Sequence, residues 1–222
     1  MNRVYLKLYL LLILFLPISG YAEIKSATAV ALPEFFEEIK TPIKLTSTSL
    51  FYNQKMEKTS LENFDNRFLI VHFWASWCMD CNLELVALNN LQKEFRKKAL
   101  QVIAISEDYK GIEAVDAYFT KYKIDYLDIF LDKKGKIYQG LMLNHLPVSY
   151  LIDFNGKVVA RSIPGKVIDW NDQMMKDYLE DKVSQYQLLP PEFKKIREKY
   201  EAPKETNNKN SKNNKKNKLF IN

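Results

Sequence analysis

The chain has 222 residues, 47% of them hydrophobic and 27% charged, with six glycines and a formal net charge of +6. That balance excludes a chain too polar to build a core, and the length somewhat exceeds one domain of about 150 residues. The positive charge is confined to one end: residues 191–222 hold ten Lys/Arg and four Glu, a net of +6, so the remainder is balanced and a broadly basic, nucleic-acid-binding surface is excluded.

At the N-terminus, Arg3 and Lys7 flank the start of a wholly apolar run from Leu8 to Leu16. Gly20 and Ala22 then form a small-x-small cleavage step. The run is shorter than the ~20 residues that cross a bilayer comfortably. Residues 1–22 are therefore expected to be a cleaved signal peptide, with an uncleaved anchor as the alternative. Either way the rest is exported, and a periplasmic location is expected. No cysteine lies near the cleavage step, which argues against a lipoprotein.

Residues 23–42 read as a lead-in, with a helical turn over Pro33–Ile39 ended by Thr41-Pro42. Ile43 to Met56 is β-rich with a turn at Asn53-Gln54, which predicts a hairpin. A capped turn follows over Ser60–Phe64. Phe68 to Trp74 is a buried strand by run length and β-propensity. Leu83, Leu85, Val86, Leu88, Leu91 and Phe95 then recur at helical spacing, ending in lysines and Arg96 that suit the helix dipole. Leu100–Ser106 is a second buried strand, Ile112–Tyr122 a helix, and Leu127–Leu131 a short apolar strand turned by Asp132–Gly135. Val148–Asp153 and Lys157–Arg161 flank Asn155-Gly156, a strong hairpin signal. Trp170–Tyr186 is a last amphipathic helix. Strands alternating with helices predict an α/β fold: a mixed sheet flanked by helices over 43–186, with an N-terminal β-hairpin extension. The Lys/Asn-rich stretch over 187–222 is expected to be a disordered basic tail, with membrane-surface contact as its sharper reading.

Cys78 and Cys81 are the only cysteines. Closing so small a loop stabilises little, whereas bracing disulfides in exported domains close long loops. A Cys-x-x-Cys between a strand and a helix therefore points to redox chemistry. The helix N-terminus favours the Cys78 thiolate. Glu84 follows Cys81 by one helical turn and faces the same side. Buried, it would take the Cys81 proton; exposed, it would be an ordinary glutamate. Asp80 places negative charge near Cys78 and opposes its ionisation. His72 and His145 are the only histidines, and a copper site using the cysteine pair and His145 is the competing reading. Otherwise neither a metal nor a cofactor is expected.

The run Phe73-Trp74-Ala75-Ser76-Trp77-Cys78-x-x-Cys81, with Leu146-Pro147-Val148 and Tyr150-Leu151-Ile152-Asp153-x-x-Gly156, resembles a thioredoxin-like protein. The export segment, Glu84, and Gly165 followed by Asp169-Trp170 resemble the exported TlpA/ResA/DsbE type of thiol-disulfide oxidoreductase. The likeness runs from about Pro33 to Tyr186. It implies an attacking Cys78, a buried resolving Cys81 and a cis Pro147 beside the pair. It also implies client contact at Trp77, Leu146 and Val148. The implied activity is reduction of disulfides in a client protein, in cytochrome c maturation or copper-site assembly. A membrane electron donor would recharge the pair. A disulfide-inserting oxidase is the alternative. The sequence departs from relatives at Asp80, where many have proline, and at His72, where cytosolic thioredoxins have a buried aspartate. It departs again at Val86, where many have a helix-kinking proline. No redox potential is carried over.

Overall fold

The computed structural model describes residues 30–44, 50–64 and 67–186. The leader, residues 45–49 and the tail over 187–222 lie outside the described residues. Eight strands form one sheet, ordered β1-β8-β7-β4-β5-β6-β2-β3. They are β1 (Phe36–Lys44), β2 (Phe51–Asn53), β3 (Lys58–Thr59), β4 (Phe68–Trp74), β5 (Leu100–Ser106), β6 (Phe130–Leu131), β7 (Val148–Ile152) and β8 (Lys157–Ser162). The helices are α1 (Met79–Phe95), α2 (Ile112–Tyr122), the single turn α3 (Lys136–Gly140) and α4 (Gln173–Tyr186).

β4 is the central strand, and all seven of its residues are buried. It runs parallel to β5, from Phe68 opposite Leu100 to Trp74 opposite Ser106, and β6 continues the parallel set. β7 pairs with β4 antiparallel on its other side. Alternation divides β4 between two cores. Phe68, Ile70 and Trp74 pack with Leu85, Leu88, Leu91 and Phe95 of α1 and with residues of α2 and α4. Leu69, Val71 and Phe73 pack on the opposite face with Phe51, Phe130 and Ile137. His72 falls between Ile70 and Trp74 on the α1 side, which sets its partners. The β7–β8 hairpin turns as expected: Gly156 takes φ 74°, and Asp153 Oδ1 accepts from the N–H groups of Asn155 and Lys157, each at 2.9 Å.

The N-terminal part corrects two expectations. Pro33–Ile39 is not a helical turn that stops at Pro42. Only Pro33–Phe36 turns, and β1 then pairs with β8 from Phe36 opposite Ser162. The sheet thus begins at Phe36 and not at Ile43. Tertiary contacts override the local preference: Phe36 is buried edge-on against Trp170 at 5.8 Å, and Glu37 pairs with Arg161 at 2.5 Å. Pro42 is tolerated because β1 is an edge strand whose register shifts between Glu38 and Ile43. Ile43–Met56 is likewise not one hairpin. Ile43 lies in the last part of β1 on one edge of the sheet, and β2 lies near the other edge between β6 and β3. The turn at Asn53-Gln54 is present, but it joins β2 to β3, so the hairpin extension occupies 51–59.

Candidate active site

β4 delivers its chain to the C-terminal edge of the sheet, and the loop 75–78 turns it into α1. Cys78 caps the helix with its sulfur, which accepts from the Cys81 N–H at 3.2 Å. The two cysteines form a disulfide, with Cα atoms 5.3 Å apart. Cys78 retains 8% exposure and Cys81 none, while the neighbouring Trp77 is 61% exposed. A sulfur nucleophile from outside can therefore reach the pair only through Cys78, and a thiolate there lies at the positive end of α1. The loop is fastened by Asp108, which follows β5. Its carboxylate accepts from Ser76 N (2.9 Å), Ser76 Oγ (2.5 Å) and Ser106 Oγ (2.6 Å).

Glu84 is 1% exposed, one turn beyond Cys81. Its Oε1 accepts from Ile168 N and its Oε2 from Trp170 Nε1, both at 3.0 Å. Burial raises its pKa to about 7. The two hydrogen bonds pull the other way, and the charge of Asp80 adds a smaller upward push. His72 approaches from β4, with Nδ1 2.9 Å from Ser149 Oγ and 3.8 Å from Glu84 Oε2. Burial lowers the His72 pKa to about 3, so the ring is neutral and this approach is not an ion pair at neutral pH. His72 Nε2 is buried without a hydrogen-bond partner.

A second acidic group lies where β5 and β6 end. Asp132 accepts from the N–H groups of Lys136, Ile137 and Tyr138 at the start of α3, at 2.9, 2.6 and 3.0 Å. Burial raises its pKa, while these bonds and one to Glu107 hold it down. Glu107 is pushed up to about 9, first by burial and then by the charge of Asp132 and the hydrogen bond to it, with Asp108 adding a smaller push. At neutral pH Glu107 is protonated and hydrogen-bonded to Asp132. The folded state therefore keeps a proton that the unfolded chain loses near pH 4.5, so stability falls as pH rises from about 4.5 to 9. Glu107→Gln keeps a donor for Asp132 and removes this titration. Urea unfolding at pH 5 and pH 9 should show the variant gaining on the wild type only at the higher pH.

The Leu146–Pro147 bond is cis. Val148 pairs with Phe73, so Pro147 stands at the sheet edge from which the cysteine loop departs. Tyr138 Oη donates to His145 O at 3.3 Å from α3, below this segment. His145 Nδ1 contacts Asn144 Oδ1 at 2.8 Å.

The sequence profile of the AhpC/TSA family matches residues 38–161, more than half of the chain. The chain belongs to the AhpC/TSA family. Within this family it is similar to the thiol-disulfide oxidoreductase ResA of Bacillus thuringiensis subsp. konkukian: 29% identical over 124 residues, 56% of this chain and 68% of that one. ResA of Bacillus anthracis is 31% identical over 107 residues, covering 48% of this chain and 61% of the relative. Among solved structures, a putative thiol:disulfide interchange protein DsbE from Chlorobium tepidum shares the fold. Its TM-score is 0.51 at 24% identity, over 59% of this chain and 92% of that one. The expected thioredoxin-like α/β fold is the observed one, and this member of the AhpC/TSA family is a thiol-disulfide oxidoreductase, similar in sequence to ResA.

Of the residues expected at the site, Cys78, Cys81 and Glu84 gather at the first turns of α1. Leu146 and Pro147 reach the same sheet edge from β7. Val148 does not join a client surface through its side chain, because β-pairing with Phe73 turns that side chain into the core, where it is 1% exposed. Among the described residues no group of three His, Cys, Asp or Glu that could hold a metal is found. The sequence reading missed Asp108, Glu107 and Asp132. Their signal was positional: Glu107 and Asp132 directly follow strands of the parallel set and Asp108 comes one residue later, at the edge where such sheets place chemistry.

Proposed function

We propose that this enzyme reduces disulfides in exported client proteins, with Cys78 as the attacking sulfur. The observation that carries this reading is the asymmetric burial of the pair, with Cys78 keeping 8% exposure at a helix N-terminus and Cys81 wholly enclosed. The Cys78 thiolate attacks a client disulfide, forming a Cys78–client disulfide and releasing one client thiolate. The Cys81 thiol gives its proton to ionised Glu84 and attacks Cys78 Sγ. The second client thiolate leaves, and two electrons have passed from the pair to the client. The released thiolates take up two protons, one returned by Glu84 and one from solvent. Trp77, Leu146 and Pro147 flank the incoming client chain.

Restoring the dithiol needs a two-electron donor, and a membrane protein of that kind fits an exported enzyme. Cytochrome c maturation or copper-site assembly is the client class that the ResA/DsbE likeness favours. Export rests on the leader over 1–22, and contact with anionic headgroups is the role that composition supports for the tail. Among the described residues no helix is long and apolar enough to cross a membrane.

The test is Cys81→Ala in the full chain. It should accumulate a covalent Cys78–client adduct that reductant releases, and isolating that adduct identifies the client. Absence of any adduct, with Cys78 free and reactive to iodoacetamide, overturns the proposal. Equilibration with glutathione separates reductase from oxidase, because a strongly oxidising couple would reverse the direction.

A further inference from the structure

Large apolar side chains stand in solvent along α1, beginning at the residue after Cys78. Met79 is 83% exposed, Leu83 71% and Val86 38%. Positions 79, 83 and 86 recur at i, i+4 and i+7, so they form one stripe on one helix face. The stripe rises about 10 Å along the helix. The core of the fold does not require it. The buried face of α1 is made by Leu85, Leu88, Leu91 and Phe95, and a surface helix normally presents polar groups on its other side. Over these turns the stripe is flanked by only one exposed charge, Asp80. Exposed apolar groups clustered at one place mark a contact surface.

We infer that Met79, Leu83 and Val86 form a docking ridge for the residues flanking the client's reactive cysteine. The ridge takes an extended apolar segment of about three residues. The inference rests on the mixed-disulfide reading above and adds a sequence preference to it. Continuity argues for this occupant. A client sulfur bonded to Cys78 Sγ lies beside Met79, so one of its flanking segments crosses the start of the ridge. Trp77, 61% exposed, extends the apolar surface on the other side of Cys78. Asp80 adds a charge bias: a lysine or arginine at the margin of the client segment is accepted, and an acidic residue is repelled.

The test uses the reduced full chain and two synthetic peptides, each carrying one internal disulfide. They differ only in having leucine or serine at the three positions on either side of the reactive cysteine. In a single turnover the wild type should reduce the leucine peptide with a second-order rate constant at least about tenfold above that for the serine peptide. In Leu83→Ser/Val86→Ser that ratio should fall toward one. Equal second-order rate constants for the two peptides in the wild type overturn the ridge while leaving the oxidoreductase reading intact. A preference that survives in the variant does the same. Failure of the wild type to reduce either peptide or glutathione disulfide strikes the underlying reading instead. Sedimentation showing a dimer that the variant abolishes would assign the ridge to a second copy and overturn the inference. Binding to anionic phospholipid vesicles that the variant abolishes would assign it to a membrane, with the same consequence.

Discussion

Glu84→Gln should slow the second half of the exchange by about 10²-fold and leave the first half nearly unchanged. The carboxylate is one helical turn from Cys81, buried, and titrates near 7, close to where a proton acceptor is most effective at neutral pH. Glutamine keeps the size and one acceptor but cannot take a proton. The reduced enzyme mixed with an aromatic disulfide such as dithiobis(nitrobenzoate) reports both steps. The first nitrothiobenzoate marks attack by Cys78, and the second marks displacement by Cys81. In the wild type the second release should rise through pH 7 as Glu84 ionises, and in the variant that step should vanish. The groups facing Glu84 are neutral His72 from β4, Asp80 from its own helix and the N–H donors of Ile168 and Trp170. His72, held down to about 3 by burial, does not titrate near 7 in its place. A purely structural Glu84 would change the rate without moving the pH profile, so a step near pH 7 that persists in the variant would exclude the proton-acceptor role.

The second large effect belongs to Asp108. Asp108→Ala leaves the half-buried Ser76 N and Ser76 Oγ and the buried Ser106 Oγ without their acceptor. Unsatisfied buried donors cost about 1–3 kcal/mol each, and the two hydroxyls can rotate to other partners, so a loss of about 3 kcal/mol is expected in urea unfolding with the disulfide intact. Asp108→Asn keeps part of the acceptor capacity and should fall between the two. A loss below about 0.5 kcal/mol would show that the cysteine loop is held in place by other contacts.

Fold and site were legible to different depths. β4, β5 and α2 were read to the residue, because unbroken apolar runs and helical spacing leave one structural choice each. The cysteine pair and the residues around Pro147 were legible as short local patterns. β1 was not. Its Glu-rich stretch with a proline suits a terminated helical turn, and only the free edge of β8, more than 110 residues later, makes it a strand. The burial of Glu84 was equally hidden. Spacing placed it on the side of Cys81, but the groups that enclose it, Ile168 and Trp170, come from 84 and 86 residues farther on. The Glu107–Asp132 pair was invisible for the same reason, since two strand ends must first be set side by side.

The sheet's outer strands carry a consequence for an enzyme that exchanges disulfides. Unpaired backbone along a long, flat margin invites stray strands and seeds aggregation. Here one margin is β1, interrupted by Pro42 and a shift in pairing, and the other is β3, only two residues long. Neither gives a passing polypeptide a long backbone template. A client is thereby discouraged from lodging where no chemistry can release it.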